Sequence, residues 1–107
     1  MSQQPKTRDF SAWINLMPGA PSKLIVVGEV ETPASNQQPH LSVSAGSPPA
    51  RTLHLDLSIR NTGGIGTPAF QFWPARHEQS AAKGEYASVV IFWNGEEHIR
   101  LTVTEAH

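Results

Sequence analysis

Apolar and polar residues alternate along several short stretches of this chain, which is the pattern of β-strands with one buried face. The clearest stretch is TLHLDLSIR, residues 52–60, in which every second residue from Leu53 to Ile59 is apolar. Three further stretches are also predicted to be strands. They are FSAWINLM at residues 10–17, KLIVVGEVE at 23–31 and HLSVSA at 40–45. Within KLIVVGEVE, Gly28 indicates a β-bulge or a close approach of another part of the chain.

Turn-forming residues separate these stretches, since the chain contains 9 prolines and 8 glycines. AFQFWPARHE, residues 69–78, predicts a further strand with Pro74 at an edge or a bulge. The alternative is a short helix over 75–83 that begins at Pro74 and is stopped by Gly84. With the closing hairpin, about seven strands are predicted, which favours a single-domain antiparallel β-sandwich of the immunoglobulin or fibronectin type III class. A five-stranded oligonucleotide-type barrel is the less favoured alternative.

The C-terminal stretch SVVIFWNGEEHIRLTV, residues 88–103, predicts a β-hairpin with a two-residue turn at Asn94 and Gly95. The first arm carries the continuous apolar run VVIFW, whereas the second arm alternates. In a regular ladder this turn places Ile91 opposite His98, and opposed residues share one face of the sheet.

That register divides the hairpin into an inner and an outer face. With the alternating strand at 52–60, it predicts a core that contains Leu55, Leu57, Val90, Ile99 and Leu101. The outer face then carries a half-apolar row, formed by Val89, Ile91, Trp93, His98 and Arg100. Either a part of the same chain or a second protein must cover such a row, which makes it the candidate interaction surface.

The chain has 107 residues, which suits one domain. We expect a flexible N-terminal segment over residues 1–9 and a β-sandwich domain over 10–107. The chain lacks cysteine, which excludes disulfides and Cys-based zinc sites and favours a reducing, cytoplasmic setting. Its formal net charge is -1 and it has no basic cluster, so neither nucleic acid nor a membrane surface is an expected partner.

No group of residues carries a strong catalytic or metal-binding signal. The five histidines are His40, His54, His77, His98 and His107. Their spacing is not that of a metal site, and the loop TGGIG lacks the lysine of a phosphate-binding loop. Glu96 and Glu97 are adjacent on a strand, so they point to opposite faces and do not form a catalytic pair. We therefore expect no catalytic residue, no metal and no cofactor.

These observations favour a non-enzymatic binding or assembly module that uses the outer face of the C-terminal hairpin. Its expected partner is another protein or a second copy of the chain in a weak homodimer. The alternative is a sandwich that binds a small ligand or a carbohydrate beside one of the tryptophans, Trp13, Trp73 or Trp93. The surroundings of Trp93 distinguish the two, because a concave apolar groove favours a ligand and a flat apolar patch favours a protein.

Overall fold

The computed structural model describes residues 5–46 and 48–106. Within these ranges the chain forms β-strands and no helix, so no helix there is long and apolar enough to cross a membrane. The seven strands are β1 (Thr7–Asn15), β2 (Lys23–Ala34), β3 (Gln37–Val43), β4 (Thr52–Asn61), β5 (Pro68–Ser80), β6 (Ser88–Trp93) and β7 (Glu96–Ala106). The all-β prediction is confirmed.

The first strand begins at Thr7, inside the segment predicted to be flexible. Residues 1–4 of that segment and His107 lie outside the described residues. The strand prediction for AFQFWPARHE is confirmed over the short helix, because β5 continues to Ser80. Pro74 is accommodated because β5 is an edge strand, where a missing backbone N–H costs little.

The strands form one mixed sheet in the order β3-β4-β6-β7-β1-β2-β5. β7 connects the two halves of the sheet, since residues 96–102 pair with β6 and residues 103–106 pair with β1. The outermost strands, β3 and β5, approach each other, so the sheet curls into a nearly closed barrel.

The predicted antiparallel arrangement is wrong, because β1 pairs with β7 and β4 pairs with β6 in parallel. The immunoglobulin and fibronectin type III class consists of two antiparallel sheets, and it is not confirmed. Alternation along a strand specifies which residues face inward, but it carries no information on the direction of the neighbouring strand.

The interior of the barrel is filled by alternate residues of the strands, as the pattern predicts. The inward face expected for β4 is confirmed by the buried residues Leu53, Leu55 and Leu57. Alternate residues of β1 and β2 are buried in the same way: Ala12, Ile14, Leu24, Val26 and Val30. Of the five predicted core residues, Leu55, Leu57 and Val90 are buried. Ile99 and Leu101 are half-buried and pack against the core from β7.

Gly28 marks both a bulge and a close contact, which confirms its prediction. The ladder between β1 and β2 shifts register here, so that Asp9 and Phe10 together oppose Gly28. Asp9 takes a positive φ of 57°, which turns the chain at the bulge. The ring of Phe10 lies so close to the Gly28 backbone that a side chain at residue 28 would overlap it. Only glycine therefore fits beneath this ring.

The C-terminal hairpin has the predicted turn. Asn94 and Gly95 connect Trp93 to Glu96, and their φ angles are 51° and 81°. Two successive positive φ values are the geometry that an Asn-Gly turn supplies to a two-residue hairpin.

The register beyond the turn differs from the prediction. Phe92 pairs with Glu97, but Ile91 pairs with Ile99, so His98 is an extra residue without a partner in the ladder. This β-bulge moves every later residue of β7 to the opposite face relative to β6. Ile91 therefore shares the inner face with Ile99, and the predicted inner and outer faces of β6 are exchanged.

Candidate functional site

The five residues predicted as an interaction surface do not lie together on one exposed face. Val89 and Ile91 are 0% exposed and belong to the hydrophobic core. Trp93 and His98 are half-buried, and Arg100 is exposed. The bulge explains this correction, because it turns the row of Val89, Ile91 and Trp93 inward.

The run from Val89 to Trp93 in β6 is continuously apolar because the outer face of this strand is also covered. Val90 is only 1% exposed, and in the ladder it lies between His54 and Arg100. The rings of His54 and Phe92 meet edge to face on this side, with their centroids 4.9 Å apart. Val90 is thus buried as predicted but on the outer face, where its neighbours in the sheet shield it.

A pocket of about 730 Å³ opens at the end of the barrel where β4 and β6 finish. The segment before β1, the ends of β2, β4 and β6 and the start of β5 contribute to it. The lining residues are Pro5, Lys6, Glu31, Pro33, Ile59, Phe70 and Trp93. Its volume lies within the range of about 300–1,000 Å³ that is usual for small-molecule sites.

Most of the pocket wall is apolar. The Nε1 atom of Trp93 is buried and has no hydrogen-bond partner, so carbon atoms of the indole rather than its N–H face the pocket. Phe70 lies at the mouth with 75% of its surface exposed. Two aromatic rings, one inside and one at the edge, therefore offer apolar surface to a ligand.

The pocket rim carries one cation, Lys6, and one anion, Glu31. The backbone N–H of Glu31 donates a hydrogen bond to the carbonyl of Lys6 at 2.9 Å, which holds the N-terminal segment beside β2. The ion pairs among the described residues involve neither side chain; they join Arg8 to Glu29, Arg76 to Glu78 and Arg100 to Glu97. The lining is thus neutral overall, with an ammonium group and a carboxylate available to a ligand.

His98, the bulged residue of β7, lies against the N-terminal wall of the pocket. Both ring nitrogens are buried, and neither makes a hydrogen bond of ordinary geometry. Burial lowers the pKa of His98 below its usual value of 6.5, and the nearby carbonyl of Pro5 opposes this effect only in part. The folded protein therefore favours the neutral imidazole over the protonated one.

We expect His98 to make the protein less stable as the pH falls below 6.5. The pKa is lower in the folded chain, so the unfolded chain takes up the proton first and unfolding is favoured over that interval. Well above 6.5 the ring is neutral in both states, and this effect is absent. Urea unfolding at about pH 7.5 and about pH 5.5 should show a larger loss of stability in the wild type than in His98→Gln. Equal losses in the two proteins would contradict this role.

Several other titratable residues make hydrogen bonds within the fold. Nε2 of His77 is hydrogen-bonded to the side chain of Gln79 at 2.8 Å, and Gln79 donates to the hydroxyl of Tyr86 at 2.9 Å. Asp56 accepts a hydrogen bond from the hydroxyl of Ser44 at 2.7 Å. Across residues 5–46 and 48–106, no three His, Asp or Glu side chains come together as potential metal ligands.

The glycine-rich loop after β4 is attached to the turn between β2 and β3. The backbone N–H and the hydroxyl of Thr62 donate to the carbonyl of Asn36 at 2.7 and 3.1 Å. The N–H of Thr67 donates to the hydroxyl of Ser35 at 2.9 Å. Between these contacts Ile65 is 99% exposed. The loop thus presents an apolar side chain to solvent at the end of the barrel where β4 finishes and β5 begins.

The sequence identified Trp93 and His98, which lie in and beside this pocket, but it did not identify the other lining residues. These come from distant segments, and no local pattern connects them. No family model, no curated protein and no solved structure matches the chain. Function is therefore inferred from the geometry of the pocket.

Proposed function

We propose that this chain is a non-enzymatic binding module that holds a small, ring-shaped ligand in the pocket beside Trp93. The observation that carries the proposal is the shape and chemistry of the pocket: it is concave, about 730 Å³ in volume and mainly apolar. Such sites typically combine apolar walls with a few polar groups that orient the ligand. In this pocket the polar groups that would orient the ligand are Lys6 and Glu31.

The surroundings of Trp93 favour a ligand over a flat protein interface. Trp93 contributes to a concave wall, with Ile59 and two prolines as further apolar lining and charged groups at the rim. The row of Val89, Ile91 and Trp93, on which a protein-interaction surface was expected, is not available because its first two members are in the core.

Protein interaction is the second candidate, now through the segment that links β4 to β5 and opens β5. Phe70 is 75% exposed and Ile65 is 99% exposed, and both belong to that segment. Large exposed apolar side chains, when they form one patch, mark contact surfaces in soluble proteins. The partner in this case is a second copy of the chain in a weak homodimer.

Indole is a suitable first probe, because it is a small, mainly apolar ring system of about the size of the aromatic side chains in the pocket wall. In a titration followed by two-dimensional NMR, we expect indole to shift the backbone amide signals of Lys6, Glu31 and Phe70. Replacing Trp93 by leucine should weaken binding at least about tenfold, which corresponds to about 1.4 kcal/mol, because the ring contact is lost.

Phe92→Leu is the matched control, since it removes a neighbouring aromatic ring from the opposite face of β6. That variant should bind indole as the wild type does. If neither indole nor a panel of other small cyclic compounds shifts a signal near the pocket, or if both variants bind equally well, the small-ligand proposal is wrong. Sedimentation of the same samples tests the second candidate. A homodimer requires a measured mass above that of one chain, and Phe70→Ser should return the mass to that of one chain.

A further inference from the structure

We infer that the ligand is a neutral saccharide, with one pyranose ring against Trp93 and hydroxyl groups hydrogen-bonded to Glu31 and Lys6. This inference rests on the proposed function and specifies its ligand class. Its basis is the combination in one pocket of an aromatic ring surface and two opposite charges that take part in none of the ion pairs among the described residues. Each part of that combination disfavours a different class of ligand.

The charge of the lining favours a neutral ligand. Lys6 and Glu31 carry opposite charges, and they are the charged residues among the described lining. A phosphate-bearing or carboxylate-bearing compound would gain from the ammonium group but would be repelled by the carboxylate. A cationic compound would be attracted by the carboxylate of Glu31 but repelled by the ammonium group of Lys6. A neutral compound avoids both costs.

The same two groups disfavour a purely hydrocarbon ligand. Covering Lys6 and Glu31 with an apolar surface would remove water from a charged group and supply no hydrogen bond in return. A hydroxyl group avoids this cost, because it donates to the carboxylate of Glu31 through its proton and accepts from the ammonium of Lys6 through its oxygen. Several neighbouring hydroxyl groups on one ring satisfy both side chains together.

The apolar wall is the reason for inferring a pyranose ring in the ligand. A pyranose has a face of C–H groups, which packs against an aromatic ring, and an edge of hydroxyl groups. The indole of Trp93 has its Nε1 turned into the protein, so the surface it offers is carbon. Phe70 at the mouth, with 75% of its surface exposed, can cover a second sugar ring of an oligosaccharide.

The experiment uses the intact chain and a panel of neutral methyl glycosides, those of glucose, galactose, mannose, xylose and N-acetylglucosamine. Glucuronic acid, glucosamine and indole serve as anionic, cationic and apolar comparisons. NMR titration should show at least one neutral glycoside at the pocket, bound more tightly than glucuronic acid or glucosamine.

Glu31→Gln separates this inference from the proposed function. It should weaken glycoside binding about fivefold or more, because the amide is a poorer acceptor than the carboxylate, and should not weaken indole binding. Glu29→Gln, on the same strand but outside the pocket lining, should alter neither. Trp93→Leu should weaken both.

Indole binding without any glycoside binding would overturn the saccharide inference and leave the small-ligand proposal intact. Tighter binding of glucuronic acid or glucosamine than of every neutral glycoside would also overturn it. If no glycoside, indole or other small cyclic compound binds, both proposals fail.

Discussion

Replacing Ile91 with glutamate is expected to prevent the chain from folding. Ile91 is 0% exposed and lies in the ladder between Leu55 of β4 and Ile99 of β7. A carboxyl group at this position would be buried without a partner whether ionised or protonated, and the apolar contacts of Ile91 would be lost, at a cost comparable to the whole stability of an ordinary domain, about 5–15 kcal/mol. Circular dichroism and one-dimensional NMR of the purified variant should show an unfolded chain.

Two further variants make this test specific to the position. Ile91→Val keeps the site apolar and should remain folded, with a loss of about 0.5–1.5 kcal/mol. Thr102→Glu introduces the same carboxylate at an exposed position of β7 and should be folded. A folded Ile91→Glu protein would mean that residue 91 faces outward, as a regular hairpin without the bulge requires.

Replacing Gly28 with alanine is expected to destabilise the protein by about 1–3 kcal/mol, the usual cost of forcing extra atoms into a packed site. The added methyl group would overlap the ring of Phe10, which packs against the core from the bulge in β1. The backbone at Gly28 does not take a positive φ, so the expected cost comes from this overlap and not from backbone strain. Urea unfolding of the single variant measures it.

The double variant with Phe10→Ala tests the cause. Once the ring is absent, the substitution at Gly28 should cost much less, and the two effects should be non-additive by at least about 0.5 kcal/mol. An equal cost of Gly28→Ala with and without the ring would show that the contact with Phe10 is not what requires glycine at this position.

The alternation of residues was enough to predict most of the strands and their inward faces. In β4, for example, Leu53, Leu55 and Leu57 are buried as the pattern indicates. This works because successive side chains of a strand point to opposite faces, which is a property of the local backbone. The turn at Asn94 and Gly95 is local in the same sense, since those two residues adopt positive φ at little cost.

The same reasoning could not predict the bulge at His98. Because the bulge was not predicted, the inner and outer faces of β6 were assigned the wrong way round, which is the largest error. A bulge adds one residue to one strand, and whether it forms depends on how both arms pack against the rest of the barrel. Here it brings Ile91 and Ile99 to the same inner face. The continuous apolar run of β6 was compatible with either register, so the sequence could not decide between them.

By itself, then, the sequence determined the all-β class, most of the strands and the Asn-Gly turn, because each depends on neighbouring residues along the chain. The sequence also marked Gly28, but the ring that requires glycine there comes from another strand. Only the tertiary structure decided the two parallel strand pairs, the faces of the last hairpin and the pocket. Parallel pairing joins strands distant in sequence, such as β1 and β7. The pocket likewise brings Lys6, Glu31 and Trp93 together from separate segments, and that proximity exists only once the sheet has curled into a barrel.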